Sequence, residues 1–316
     1  MSWVRCSRDR GDVAMSVLRI GTRASALAMT QAATVADALG GELVPIVSEG
    51  DRSTASLSAL GGTGVFAAAL REALLAGEID AVVHSFKDLP TSPLEGLSIA
   101  AVPKRADARD ALCARDALTL DTLPEGARIG TGSPRRRAQL ARRRPDLDLI
   151  DIRGNIDTRL GRVGTDLDAV VLAAAGLGRL DRLGVVTELF DLDGWPTAPA
   201  QGALAVETRA GDERLAARVD HRPSRVAAEA ERGVLARLEA GCAAPVGAHA
   251  FVEDGMLFLS ARVYRPDGGD QLTSSHAAYI GDVTALEIAH RVADELLAAG
   301  AAELAPLRAR LYEDPR

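Results

Sequence analysis

Apolar residues recur in two patterns along the chain, and the order of these patterns predicts the architecture. Short apolar runs bounded by glycine, proline or charged residues predict buried strands, whereas apolar positions three and four apart predict amphipathic helices. Strands and helices alternate over residues 128–180, which indicates βαβ units and a parallel sheet. Residues 224–299 instead predict a long helix, three strands and a final helix, which is typical of a small α+β domain.

Two segments without periodicity predict domain boundaries. Residues 103–110 form a charged crossing, and residues 191–199 form a linker rich in glycine and proline. Residues 48–64 predict a long loop of the kind that is usually a functional lid or disordered. Residues 1–16 are polar, carry both charge signs and lack the apolar segment of a signal peptide, so we expect a disordered extension or sequence upstream of a start at Met15.

The composition favours a cytoplasmic globular protein. The chain has 316 residues, of which 47% are hydrophobic and 26% charged, enough material for two or three packed domains. Its net charge of −7 argues against general binding to nucleic acid or membrane surfaces. Cys6, Cys113 and Cys242 are odd in number and far apart, which suits a reducing compartment and gives neither a disulfide framework nor a metal-ligand spacing. We expect Cys113, in a predicted strand, to be a small buried thiol.

The stretch over residues 80–90 predicts a buried strand that ends in polar chemistry. Its apolar run leads into His84, Ser85, Lys87 and Asp88, and the proline that follows ends the pairing. In open α/β sheets ligands bind beyond the carboxyl ends of strands, which is where these side chains are expected. If the strand continues that far, Ser85 and Lys87 face one way and His84 and Asp88 the other. The alternative is an ordinary strand end with a solvated Lys–Asp pair.

A concentration of arginine marks residues 127–162. This segment holds ten arginines, four aspartates and no glutamate, so it is +6 while the rest of the −7 chain is −13. Arg135, Arg136 and Arg137 fill the first turn of a predicted helix, where cations oppose the helix macrodipole. A docked anion would reverse that penalty, so the broken local rule indicates a functional site.

Further arginines follow the next two predicted strands, and three strand-to-helix turns would then point arginine at one crevice. They are Arg153, Arg159 and Arg179. Arginine suits carboxylates and phosphates because its planar fork pairs with them bidentately. The segment carries no phosphate-loop lysine and no aromatic stacking residue, which argues against nucleotides and nucleic acid. For Arg142, Arg143 and Arg144 we favour a solvated helix end, where cations are stabilising.

Motifs along residues 17–310 together resemble the porphobilinogen deaminase family, also called hydroxymethylbilane synthases. Single motifs are short, but their order and spacing make chance agreement very improbable. They are the stretches at residues 19–25, 83–90, 130–136, 153–160, 175–177, 201–203 and 237–242.

This resemblance implies the fold and the activity. The fold is two periplasmic-binding-protein-like α/β domains with a crossover, plus a small α+β C-terminal domain. The domains would comprise residues 17–103 with 201–221, residues 108–197, and residues 224–316. The family joins four porphobilinogen molecules head to tail into hydroxymethylbilane, releases ammonia at each step, and serves haem biosynthesis. We expect a monomer that acts on this small-molecule substrate, with no nucleic-acid or membrane partner.

The resemblance also implies site residues, carried over where the motifs match. Cys242 matches the cysteine that holds a dipyrromethane cofactor through a thioether, and Asp88 matches the catalytic aspartate. Asp88 could stabilise a pyrrole cation and shuttle protons when the protonated amine leaves and the next ring attacks. Matches to the cofactor- and substrate-binding positions are Arg23, Ser25, Phe66, Ser85, Lys87, Thr131, Ser133, Arg135, Arg136, Arg153, Arg159 and Arg179.

The sequence departs from the family pattern in the predicted loop. Many members have lysines there, as in Gly-Gly-Lys-Gly, whereas the corresponding positions are Ala59 and Thr63. If the loop covers the site, it therefore does so with fewer charges. Two other hypotheses stay open: a non-catalytic binding protein for a polycarboxylate, and an RNA-binding module that uses residues 135–144.

Cofactor attachment gives the first prediction. The intact protein should weigh more than its sequence by two pyrrole units, and Cys242→Ser should remove the excess, as measured by intact-mass spectrometry. Ehrlich's reagent should colour the purified protein, because it reacts with a bound dipyrrole and not with an empty binding protein. An unmodified mass for the parent protein would contradict the attachment.

Overall fold

A computed structural model describes residues 17–47, 64–240 and 244–307. Within these ranges the chain forms two five-stranded sheets and one three-stranded sheet. The predictions for residues 1–16, for Ala59 and Thr63, and for Cys242 lie outside these ranges. The strands are β1 (Leu18–Arg23), β2 (Gly41–Ile46), β3 (Ala81–Ser85), β4 (Leu97–Ala101), β5 (Asp110–Ala114), β6 (Arg128–Gly130), β7 (Asp148–Ile150), β8 (Ala169–Ala173), β9 (Glu188–Leu189), β10 (Leu204–Arg209), β11 (Val246–Glu253), β12 (Met256–Tyr264) and β13 (Gln271–Tyr279). The helices are α1 (Ala26–Leu39), α2 (Gly64–Leu75), α3 (Pro134–Arg143), α4 (Ile156–Leu160), α5 (Ala174–Arg179), α6 (Arg222–Arg237), α7 (Ala285–Ala298) and α8 (Ala301–Leu304).

The first two sheets share one topology. Their orders are β2-β1-β3-β10-β4 and β7-β6-β8-β5-β9. In each sheet the fourth strand is antiparallel to its neighbours, and it is the strand that the chain enters after crossing from the other domain. The chain crosses at residues 102–109, before β5, and returns at residues 190–203, before β10. This arrangement confirms the expected pair of α/β domains with a crossover.

Local sequence explains where the helices that face the crossover begin. Ser25 caps α1, accepting a hydrogen bond from the Ala28 backbone, and the helix ends at Gly40 with φ of 65°. Ser133 caps α3 in the same way, and Pro134 occupies the first turn, where its missing N–H costs nothing. Strand and helix cores consist mainly of Ala, Val, Leu and Ile, as the low aromatic content requires.

One local prediction was wrong. The strand that carries His84 ends at Ser85, and residues Phe86–Asp88 form a 3₁₀ turn, so the strand alternation does not extend to Lys87 and Asp88. The backbone N–H of Phe86 instead bonds the carbonyl of Ala203, where the return crossing meets the strand end.

The third domain packs α6 and α7 against one face of the antiparallel sheet β11-β12-β13. This confirms the α+β prediction. Within the described ranges, no helix is both long and apolar enough to cross a membrane. The strands of the three sheets fall within the predicted domain ranges, whose exact limits stay a proposal.

One buried carboxylate on α6 ties the third domain to both crossings. Glu231 is fully buried and accepts bidentate hydrogen bonds of 2.6 and 2.9 Å from Arg105 in the first crossing. It also accepts from the backbone N–H of Ala200 in the return crossing at 2.5 Å and of Ala250 on β11 at 2.7 Å. The Arg105 guanidinium and the His249 ring hold the pKa of Glu231 below its ordinary value, against the effect of burial.

Replacing Glu231 with alanine should therefore destabilise the protein by about 3–5 kcal/mol, because Arg105 would stay buried without its partner and two backbone N–H groups would lose their acceptor. Urea denaturation of parent and variant measures the difference. The matched control is Asp107→Ala, which removes an exposed ion pair with Arg109 and should cost under about 1 kcal/mol. Equal losses in the two variants would contradict the assignment.

Candidate active site

Polar residues at the ends of β1 and β3 surround one small cavity in the first domain. Arg23 is the last residue of β1, Ser25 caps the helix that follows, and Ser85 is the last residue of β3. Together with Asp88 they line a cavity of about 90 Å³. The 3₁₀ turn explains this grouping, because it brings Asp88 beside Ser85 instead of on the opposite face.

Other residues that line the cavity hold these side chains in place. Ser85 Oγ lies 3.1 Å from Gln31 Oε1, to which it donates a hydrogen bond, and Gln31 is buried on α1. Leu27 and Leu70 supply apolar walls. The carboxylate of Asp88 is exposed, so it can meet a ligand without a change of backbone.

Lys87 connects this cavity to the return crossing. Its Nζ donates to Gln201 Oε1 at 3.3 Å. Burial lowers the pKa of Lys87, while the neighbouring Asp88 raises it and Arg136 lowers it further. Lys87 therefore lies between the acid of the first domain and the arginines of the second.

The Asp110 carboxylate is the centre of a fully buried network at the first residue of β5. Its Oδ1 accepts from Arg136 Nη2 at 2.6 Å and Gln201 Nε2 at 2.8 Å. Its Oδ2 accepts from Trp195 Nε1 at 2.8 Å and lies 2.9 Å from Arg135 Nη2. The two guanidiniums and these hydrogen bonds hold the pKa of Asp110 far below its ordinary value, against a large opposing effect of burial.

The anion expected at the start of α3 is therefore supplied in part by the protein itself. Arg135 and Arg136 are only 3% and 6% exposed. Arg135 also donates to Gln139 Oε1 at 2.6 Å, and Arg136 to the Val171 carbonyl at 2.9 Å. One carboxylate balances one of the two cations, so the pair keeps a net positive charge. The Nε of each guanidinium is buried and has no hydrogen-bond partner among the described residues.

The remaining predicted residues follow strands of the second sheet. Thr131 is buried after β6 and accepts from the Ser133 N–H at 3.3 Å. Arg159 donates to the Gly154 carbonyl at 2.8 Å, and burial, then Arg136 and Arg153, lowers its pKa. Arg153 is exposed, with Asp151 3.9 Å away.

Arg179 closes the set by bridging back to the return crossing. Its Nη2 donates to the Gly202 carbonyl at 2.8 Å, and burial lowers its pKa. Phe66 lies on α2, but its side chain is outside the described part of the structure, as is Cys242. A larger cavity of about 590 Å³ lies between α3 and the β12–β13 turn, and none of the predicted site residues that the structure describes lines it.

Two family models match the chain over most of its length. "Porphobilinogen deaminase, dipyromethane cofactor binding domain" matches residues 18–217, and "Porphobilinogen deaminase, C-terminal domain" matches residues 226–298. The chain belongs to the porphobilinogen deaminase family. The expected activity is confirmed with it: the chain is a transferase that joins four porphobilinogen molecules into hydroxymethylbilane. The dipyrromethane cofactor is supported at the level of this domain, without its bond to cysteine.

Curated relatives agree along almost the whole chain. The porphobilinogen deaminase of Leifsonia xyli is 61% identical over 312 residues, covering 92% of this chain and 95% of that protein. That of Cutibacterium acnes is 52% identical over 331 residues, covering 93% and 98%. That of Mycobacterium tuberculosis is 53% identical over 306 residues, covering 91% and 98%.

Solved structures of solute-binding proteins are similar to part of the chain. An ancestral cationic amino acid solute-binding protein has a TM-score of 0.39 at 16% identity and covers 65% of this chain and 86% of its own. An arginine-specific periplasmic binding protein of Salmonella typhimurium has a TM-score of 0.36 at 15% identity, covering 65% and 90%.

Sequence reasoning missed the residues that organise this candidate site from within. Asp110, Trp195 and Gln31 were not singled out, and Gln201 entered only as part of a motif. An aspartate that opens an otherwise apolar strand is a signal for Asp110, and its burial needs cationic partners. Glycine after Gln201 is a second signal, because Gly202 has φ of 86° and a Cβ there would lie 2.6 Å from the Ala106 carbonyl.

Neutralising Asp110 gives a prediction with a defined pH dependence. Asp110→Asn should cost about 3–5 kcal/mol at pH 7, because the amide would turn a donor toward groups that themselves donate and would leave the arginines uncompensated. The folded pKa is depressed, so this stabilisation is complete above the ordinary pKa of 3.8 and is lost as the pH falls further below it.

Urea denaturation from pH 7 to pH 3 measures the difference between parent and variant. The difference should stay constant down to about pH 4 and shrink at lower pH. Asp121→Asn, at an exposed carboxylate of the same domain, serves as control and should stay within about 0.5 kcal/mol throughout. A difference that grows as the pH falls would contradict the network.

Proposed function

We propose that hydroxymethylbilane synthesis takes place in the crevice between the first two domains, with Asp88 as the proton-transfer group. One observation carries the proposal: Arg23, Ser25, Ser85 and Asp88 line a single cavity. Lys87 extends from that cavity through Gln201 to the arginines of α3. An acid and a row of cations are what a substrate with an amine leaving group and two carboxylates per ring requires.

The cations bind the carboxylates of the growing chain. Arg23 serves the first domain, and Arg153, Arg159 and Arg179 serve the second. Desolvation of Arg159 and Arg179 supports this role, because partly dehydrated guanidiniums bind carboxylates more strongly than solvated ones. Thr131 and Ser133 add hydrogen-bonding groups at the start of α3, where the helix dipole favours an anion.

Arg135 and Arg136 both contact the protein, and we assign the ligand contact mainly to Arg136. Both contact Asp110, and Arg136 lies beside the Gln201 amide that Lys87 also meets. The Nε of Arg136, which has no partner among the described residues, and the net positive charge of the pair fit one ligand carboxylate. Arg135 contacts Gln139 and the Pro196 carbonyl as well, so we assign it the more structural share.

Asp88 holds and moves protons at the ring nitrogens and at the departing amine. Lys87 lies next to it in the same turn, and the charge of Asp88 raises the pKa of Lys87 against the effect of burial. A dipyrromethane group, when bound, supplies the nucleophilic ring carbon on which the chain grows. We propose that Cys242 holds it, since this cysteine follows α6, the helix that reaches the crossings through Glu231.

Cytoplasmic location and a monomeric state remain part of the proposal. The RNA-binding alternative loses its basis because Arg135 and Arg136 are buried, and Arg144 is engaged by Asp146 and by the Leu120 carbonyl. The polycarboxylate-binding alternative shares the cations but needs no exposed acid beside them.

Asp88→Asn should reduce turnover by about 100-fold or more, because the amide can neither take up nor release a proton. Its thermal midpoint and its Ehrlich-positive cofactor should match those of the parent, which a stopped assay of hydroxymethylbilane formation, calorimetry and intact mass establish. Asp282→Asn alters an exposed carboxylate of the third domain and should keep full turnover. Near-parental turnover in Asp88→Asn would refute the assignment.

A further inference from the structure

We infer that Arg232 is a positioning residue for the reaction: from the third domain it fixes the 3₁₀ turn that carries Lys87 and Asp88. The inference rests on the proposed role of Asp88 and adds the device that holds this acid in place. Arg232 lies on α6, directly after Glu231, and its side chain leaves the third domain to reach the first.

The Arg232 guanidinium binds the backbone of the catalytic turn at three points. Its Nη1 donates to the carbonyls of Phe86 at 2.8 Å and Leu89 at 2.9 Å, and its Nη2 donates to the carbonyl of Pro90 at 2.6 Å. Phe86 and Leu89 flank Lys87 and Asp88 on either side. A rigid planar cation that forms hydrogen bonds on both sides of Lys87 and Asp88 fixes the backbone between those bonds.

Packing of Arg232 against Phe86 also helps to fix the turn. The Arg232 guanidinium carbon lies 4.4 Å from the centroid of the Phe86 ring, a cation–π distance, and Phe86 and Leu89 are each only 4% exposed. From the other side, the Phe86 N–H bonds the Ala203 carbonyl of the return crossing. Lys87 and Asp88 are thus the residues of this turn whose side chains stay available to a ligand.

The electrostatics indicate function rather than stability. Among the described residues no acidic side chain forms an ion pair with Arg232, and burial, followed by the nearby Arg71, lowers its pKa to about 10. A buried guanidinium without a counter-ion is costly, and a stabilising contact would more economically pair it with a carboxylate, as Arg225 on the same helix pairs with Asp220. Instead, three backbone carbonyls accept hydrogen bonds from the Arg232 guanidinium, and these bonds fix the carbonyls in place.

The test compares Arg232→Gln and Arg232→Lys with a matched control on the same helix. Arg225 also donates to two carbonyls of the first domain, those of Ile99 and Ala100 on β4, away from the catalytic turn. Arg232→Gln should lower kcat by about 10- to 100-fold with KM changed less than about 3-fold, because the acid is misplaced while the arginines that bind the carboxylates lie outside this turn. Arg232→Lys should recover part of kcat, since an ammonium can reach fewer of the three carbonyls.

Arg225→Gln should lose comparable thermal stability and keep kcat within about 3-fold, which separates positioning from general loosening. The inference is overturned if Arg232→Gln keeps parental kcat, if it changes KM alone, or if Arg225→Gln loses as much kcat for the same loss in thermal midpoint. If Arg232→Gln does not fold, the kcat of Arg232→Lys decides in its place, a parental value overturning the inference.

A double-mutant cycle distinguishes failure of this inference from failure of the proposed function. Asp88→Glu displaces the carboxylate by one methylene, so adding Arg232→Gln to it should lower kcat much less than in the parent. Fully additive losses overturn the positioning role and leave Asp88 as the acid. Full activity in the separate Asp88→Asn variant overturns the proposed role of Asp88 instead.

Discussion

Burial of the Asp110 carboxylate is the constraint on which the rest of the structure depends. A carboxylate removed from water is stable only if its oxygens are fully paired, and here four donors supply the pairing. These donors come from the start of α3 and from two points of the return crossing. Satisfying one charge therefore fixes the arginine helix, both chain crossings and the Gln201 amide that Lys87 contacts. A helix start that carries cations becomes acceptable because the opposing anion is built into the neighbouring strand.

The same principle recurs at the third domain with Glu231 and Arg232. Glu231 gathers donors from Arg105, from the return crossing and from β11, so the small domain is held against the crossover by one carboxylate. Arg232, the next residue of α6, holds the turn beside the cavity. Consecutive residues of α6 thus reach both crossings and the turn at Phe86–Asp88. The same buried charges therefore determine both how the domains are arranged and how the site is shaped.

Much of the site could be predicted because its residues follow strands in the sequence. Arg23 and Ser85 end strands of the first sheet, and Thr131, Arg153 and Arg179 follow strands of the second. Within each sheet the carboxyl ends of the parallel strands lie at one edge. The orientation of the turn after β3 could not be predicted, because strand alternation assumes that pairing continues. The return crossing stops it by bonding the Phe86 N–H, a contact between residues far apart in sequence.

The sequence by itself determined the element order, the three-domain organisation, the concentration of arginine and the family, because periodicity, capping residues and motif order are local properties of the chain. Only the tertiary structure decided which charges face a ligand and which face each other. In the sequence, Arg135, Arg136 and Arg153 look alike. In the structure, Arg135 and Arg136 are buried against Asp110, whereas Arg153 is exposed. The reason is that the energy of a charge depends on burial and on partners brought from distant segments, and neither quantity exists until the domains have packed.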